Sequence, residues 1–392
     1  MISLTGLRAE LRRKATAYLF APGCLPHDKA PAPSTGTPAA RVYTQLIALL
    51  SLACFRPVAV GVLDVADMYG VRWERHELRW IVVAQFAVGT VVFVWLCWLV
   101  IARTPLDRVS PRSRLIQRGI AVVCGAVTMY AAAPSPHVLQ RTAALAVAGC
   151  TVAWLAVEIC RTHGVSLVNR RPPTAAERLT VWQITGASAY VCLAGGALGL
   201  LSHQFLRWLG IEGVPLMKGS QASALGFTGL DVLHTIGMVG PSLVHTVALE
   251  DVVIVAATSA LLTAIRRPAW EIYTLICVIE ALVHAYLGLP AIVLGVFTAG
   301  HVWLYRRYQR VLPLIYSHTA FDLIGVSVQL SLSGFYRILP GILLGAVLAG
   351  IDRYLRTGAA KESAGLAAQQ EPASLQPSLP ATGPRDFPPP RA

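Results

Sequence analysis

The chain has 392 residues, of which 55% are apolar and only 14% charged, against about 25% charged in an average soluble domain. Its formal net charge of +13 sits in arginines that flank apolar runs, where a positive-inside bias accounts for them, so a nucleic-acid partner is not expected. Eight cysteines are scattered without a CxxC pair (Cys24, Cys54, Cys97, Cys124, Cys150, Cys160, Cys192 and Cys277), which points to small buried side chains rather than a zinc knuckle or a disulfide framework.

Residues 1–42 open with Arg8, Arg12, Arg13 and Lys14, followed by a Pro/Ala/Thr-rich run. No apolar h-region of a signal peptide precedes residue 43. Ten apolar segments follow, at 43–63, 80–102, 119–135, 141–160, 181–204, 240–265, 271–288, 290–305, 311–330 and 337–352. Their lengths suit a hydrocarbon core of about 30 Å, and a backbone in lipid must bond to itself, which dictates helices. They lack the strict alternation of a membrane barrel. The expected fold is therefore all-α, a polytopic transmembrane helical bundle of about 8–10 spans. The first segment is the weakest, because Arg56-Pro57 interrupts it, and a kinked or interfacial helix is the alternative there.

Basic residues fall on alternate connections: the amino-terminal segment, 103–118, 161–180, Arg266-Arg267, Arg306-Arg307-Arg310 and Arg353-Arg356. That places both termini in the cytoplasm of a multi-pass plasma-membrane or inner-membrane protein, and the Ala/Arg/Val bias has a bacterial flavour. Four regions result: the basic segment 1–42, amino-terminal membrane helices over 43–204, a carboxy-terminal membrane core over 205–356, and a tail over 357–392 expected to be disordered. Within the core, the Gly-rich stretch 205–239 reads as an extracytoplasmic loop followed by an interfacial or re-entrant segment. Asp231, His234 and His245 fit no motif and are expected in loops or at the interface.

Ionisable side chains inside a bilayer cost several kcal/mol and mark function by default. The first half has almost none, Glu158 facing the headgroups. The second half carries Glu250, Asp251, Glu280, His284, His301, His318 and Asp322. At 1.5 Å rise per residue, Glu250 and His284 lie about 4 and about 6 Å from the middle of their spans, and His318 and Asp322 straddle the middle of theirs. Pairs four apart, His318 with Asp322 and Glu280 with His284, share a helix face. His301, near a span end, is expected at the interface. A buried carboxylate flanked by two imidazoles suits water activation and oxyanion support.

The stretches Leu249-Glu250-Asp251, Ala281-Leu282-Val283-His284 and His318-Thr319-Ala320-Phe321-Asp322 resemble the motifs of the CPBP family, the CaaX proteases and bacteriocin-processing or Abi proteins. The likeness extends through Leu287-Gly288-Leu289-Pro290, Tyr305-Arg306-Arg307 and Leu312-Pro313, and covers about residues 225–330. The resemblance implies an intramembrane endopeptidase acting on a peptide or membrane-protein substrate in the lipid bilayer. It implies Glu250 as base, His284, His318 and Asp322 as its partners, and Asp251 as the second acid. A divalent metal such as zinc, with His284 and His318 as candidate ligands, is left open by the family. Three departures stand out. The second acid is Asp rather than Glu. Val252–Val255 occupy the turn where the family has an arginine. Glu280 replaces the phenylalanine four residues before His284. Asp251 must then be protonated or find another partner, and Glu280 can rebuild the acid pair from the next helix. A non-catalytic immunity or scaffold protein and a proton-coupled transporter are the competing functions.

Overall fold

The computed structural model describes residues 39–68, 70–71, 75–103, 111–132, 138–167, 174–210, 232–285, 290–329 and 335–374. These residues form ten helical rods and no strand, so the chain is an all-α membrane helical bundle. The rods are α1 (Ala39–Met68), α2 (Arg75–Arg103), α3 (Pro111–Ala132), α4 (Val138–Thr162) and α5 (Ala175–Trp208), then α6, α7 (Ala269–Val283), α8 (Pro290–Tyr308), α9 (Leu312–Gln329) and α10 (Phe335–Ser374). The rod α6 has three parts: α-helical Val232–Val247, π-helical Ala248–Ala257 and α-helical Thr258–Ala264. Among the described residues, five stretches suffice by length and composition to cross a membrane: Ala39–Leu63, Arg79–Val100, Thr142–Thr162, Ala175–Trp208 and Val239–Ala264.

Their burial differs sharply. The apolar window of Val239–Ala264 is 78% buried in protein, that of Arg79–Val100 only 22%. Val, Phe and Trp side chains exposed on α2, such as Trp80, Phe86, Val91 and Trp98, are the surface a lipid phase would cover. The rod α6 instead forms the axis, with α1, α4, α7, α8 and α9 around its π-helical segment. Every residue of that segment is buried. Its wider winding ends at Thr258, whose backbone N–H and hydroxyl both reach the Val253 carbonyl, five residues back.

The segment interrupted by Arg56-Pro57 is a single helix, α1, of 30 residues, within which Ala39–Leu63 is long and apolar enough to cross a membrane. Two sequence expectations change. Residues 232–239 are not a separate interfacial piece but the first turns of α6. His234 and His245 therefore lie on this helix, and His245 donates from Nδ1 to the Leu145 carbonyl at 2.9 Å, where Gly149 lets α4 approach. Asp231 and the preceding loop fall outside the described residues. The tail also differs: α10 continues through Ser374, because 357–371 is rich in Ala, Glu, Gln and Lys and contains no proline. Its Glu362 accepts from the Ala176 backbone N–H at 3.1 Å, adding a carboxylate to the positive end of α5. The capping box of Thr174 and Glu177 acts at the same end.

Side-chain contacts gather the ends that carry the basic connections. Tyr43 on α1 donates to Glu271 on α7, which Arg267 also holds. Gln45 bonds His163 at 2.8 Å, and Arg306 lies over the Tyr273 ring. Arg310 faces Glu177 at 3.7 Å, and Trp182 donates to Asp352 at 3.0 Å. One face of the bundle thus holds the starts of α1, α5 and α7 and the ends of α4 and α8.

Candidate active site

The second-half charges converge on the π-helical segment. Glu250 and Asp251 are adjacent in sequence, both buried, and turn toward different sets of histidines. Oε1 of Glu250 faces His284 Nε2 at 3.7 Å. Its Oε2 faces His318 Nε2 at 3.5 Å. His318 Nε2 also lies 3.7 Å from Asp322 Oδ2, one turn along α9. The four residues expected to form the site, Glu250, His284, His318 and Asp322, are therefore brought together from three helices.

Asp251 finds its partners without an arginine. His301 Nδ1 donates to Oδ1 and His318 Nδ1 donates to Oδ2, each at 3.1 Å. His301, expected near a span end, is fully enclosed in protein, because α8 runs on to Tyr308 and packs its His301 face against α5 and α6. His301 Nε2 meets Ser188 Oγ of α5 at 2.9 Å, with Cys192 Sγ at 3.6 Å. Ser317 Oγ in turn donates toward Ser188 Oγ at 2.5 Å.

The proton positions follow from the acceptors. Asp251 offers only lone pairs, so both Nδ1 atoms carry hydrogen. Ser188 Oγ is then the partner of His301 at its other nitrogen, Nε2. His318 is held by the same carboxylate with Nε2 directed at Glu250. Phe297 walls this pair, 4.3 Å from the His301 ring and 5.2 Å from that of His318.

His284 closes α7. The helix ends at Val283 rather than running on through the expected 288, and 15 residues rise about 22 Å, short of a hydrocarbon core of about 30 Å. A helix end at that depth is tolerated where it is buried in protein. His284 Nδ1 donates to the Glu280 carbonyl at 3.1 Å and lies 3.5 Å from Glu280 Oε1. Glu280 is 1% exposed, and neither of its carboxyl oxygens makes a well-formed hydrogen bond among the described residues. Glu250, Glu280 and His284 each present one donor atom within 4.8 Å of the other two, so among the described residues the metal-capable group pairs His284 with the two glutamates rather than with His318.

The contacts of His301 and Ser188 with one another and with Asp251 are not legible in the sequence; the available signal is that a buried acid such as Asp251 must acquire donors. No family model matches the chain, and no characterised protein or solved structure matches it either.

Proposed function

We propose that the chain is an intramembrane endopeptidase of the CPBP type, with Glu250 as the base that activates water. The observation that carries this reading is the placement of both Glu250 oxygens opposite imidazole nitrogens of different helices, at 3.7 and 3.5 Å. Those separations are somewhat longer than a direct hydrogen bond of about 2.7–3.2 Å, so both imidazoles stand beside the carboxylate that would take a proton from water.

The chemistry runs as a general-base hydrolysis. Glu250 takes a proton from water as the oxygen attacks the peptide carbonyl carbon. The carbonyl oxygen gains the negative charge of the tetrahedral intermediate. His318, oriented at Nδ1 by Asp251, is the group that can carry an N–H at Nε2 toward that charge. The C–N bond then breaks and the proton held on Glu250 passes to the leaving amine. Asp322 keeps the His318 ring at its place on α9, as a group next to a working imidazole does. The substrate is a peptide or a membrane protein, and the basic face of the bundle with both termini is cytoplasmic.

The test compares new protein termini in membranes of cells expressing the wild type or Glu250→Gln at equal levels. Termini inside or beside membrane segments that need Glu250 are expected. Identical termini from the two strains, with both proteins inserted, would remove the assignment of Glu250 as base.

A further inference from the structure

The stretch that carries the resemblance, about residues 225–330, holds Glu250, His284, His318 and Asp322. The helix α5 lies outside it and still reaches the centre of the site. Three glycines bring it there. A Cβ on Gly195 would lie 2.7 Å from Phe297 Cβ of α8, and one on Gly196 would lie 3.1 Å from Phe321 Cζ of α9. A Cβ on Gly300 of α8 would overlap Val191 of α5. Gly300 precedes His301, and Phe321 precedes Asp322. Backbones packed this closely let short polar side chains bond directly from helix to helix.

Ser188 of α5 makes such bonds. Its Oγ lies 2.9 Å from His301 Nε2 on α8 and 2.5 Å from Ser317 Oγ on α9. His301 Nδ1 donates to Asp251 Oδ1, and His318 Nδ1 donates to Asp251 Oδ2, each at 3.1 Å. Ser317 and His318 are neighbours on α9. The bonds therefore close a ring: Ser317 of α9, Ser188 of α5, His301 of α8, Asp251 of α6, and back to α9 at His318. All five residues are buried.

The ring does not depend on one assignment of hydrogens. With His301 neutral, Ser317 donates to Ser188, and Ser188 donates to His301 Nε2. With His301 charged, Nε2 donates to Ser188, Ser188 donates to Ser317, and Ser317 donates to the Leu314 carbonyl at 2.9 Å. Every link holds one hydrogen in either case. A ring also restrains more than a single bond does. One bond to His318 Nδ1 would leave Asp251 free to swivel, with the imidazole following. Here Oδ1 is tied to α8, and the neighbour of His318 is tied to α5. The His318 Nε2 is thereby kept 3.5 Å from Glu250 Oε2.

We infer that Ser188 and Ser317 are positioning residues of the hydrolytic site, acting through His301 and Asp251 to hold the His318 ring toward Glu250. Groups that hydrogen-bond the far side of a working imidazole set its orientation and tautomer in this way. The assignment makes α5, one of the amino-terminal membrane helices, part of the site. It rests on the reading of Glu250 as base with His318 beside it.

The experiment uses the full chain in lipid bilayers, with histidine carrying nitrogen-15 in its ring. Solid-state NMR reads the ring nitrogens, and the His318 signals are those missing from His318→Gln. Ser188→Ala and Ser317→Ala are each expected to shift or split the His318 signals. Ser188→Thr, which keeps a hydroxyl, should bring them back toward the wild type. His163→Ala breaks a buried bond to Gln45 on the basic face; it controls for lost stability and should leave the His318 signals where they are. The Glu250-dependent protein termini should appear about 10–100-fold more slowly with Ser188→Ala, and faster again with Ser188→Thr. If Ser188→Ala loses its fold, Ser317→Ala carries the same readout. His318 signals that stay unchanged in both alanine variants overturn the positioning role, as does an equal change in His163→Ala. The ring signals are read without substrate, so a failure of this inference leaves Glu250 to its own test. Termini that do not depend on Glu250 would in turn remove the base and leave the hold on His318 standing.

Discussion

His301→Ala is expected to be the most damaging single change outside the groups that face Glu250. His301 is wholly buried and spans three helices: Nδ1 donates to Asp251 on α6 and Nε2 meets Ser188 on α5, while its own backbone lies in α8. Truncation removes one hydrogen bond to a charged group, about 1.5–3 kcal/mol. It leaves the Ser188 hydroxyl without that partner, about 1–3 kcal/mol unless Cys192 substitutes. It also opens a void beside Phe297. Because these costs overlap, the total is expected at about 3–5 kcal/mol, the range seen when one partner of a buried charged pair is removed. The assay is reversible unfolding of the full chain in mixed detergent–SDS micelles, followed by tryptophan fluorescence.

The double variant His301→Leu with Asp251→Leu separates polar coupling from lost packing. Replacing both partners by apolar groups is expected to cost less than the sum of the single changes, with a coupling of about 1–3 kcal/mol. His301→Gln, which keeps an N–H donor, should recover part of the loss. A cost below about 1 kcal/mol for His301→Ala, or strict additivity of the two leucine changes, would refute the claim that His301 is a principal buried partner of Asp251.

Gly195→Ala should destabilise by about 1–3 kcal/mol, because its new methyl would lie 2.7 Å from Phe297 Cβ; it should also slow cleavage by tilting the wall of the His301–His318 pair, read by unfolding and turnover on one preparation. His163→Ala breaks the buried 2.8 Å bond to Gln45 and should cost about 1–3 kcal/mol while leaving turnover of the surviving fold unchanged, since it lies on the basic face away from Glu250. Thr258→Val keeps the backbone N–H to Val253 but loses the hydroxyl, so a loss of only about 0.5–1.5 kcal/mol is expected in the same unfolding assay.

The fold class was legible because lipid simplifies the rules. Long apolar runs must be helices, and alternating basic connections order them. What the runs do not encode is their partners. Nothing in Val239–Ala264 distinguishes it from Arg79–Val100 by hydropathy alone, yet the first is the axis of the bundle and the second lies on its edge. That His318 and Asp322 share a helix face was legible from their spacing of four, and the structure brings Glu250 and His284 to the same place. His301 was not legible, because its depth was taken from the end of an apolar run and its burial comes from α5, a helix more than a hundred residues earlier. The π-helical winding was equally hidden, as its signal is an unusual hydrogen-bond pattern rather than a composition.

That winding gives the site its division of labour. In an α-helix, neighbouring residues diverge by about 100°, and widened turns of this kind recur at functional positions. Here two adjacent acids leave the same buried turn for different tasks. Asp251 is fully bonded to His301 and His318 and behaves as fixed structure. Glu250 stops 3.5 Å or more short of both of its imidazoles and keeps one oxygen unbonded among the described residues. A base must retain a free lone pair, whereas an orienting acid must spend both. On the proposed reading the two demands fall on consecutive residues: Asp251 is held by two ring N–H donors, and Glu250 lies beyond hydrogen-bond distance of both of its imidazoles.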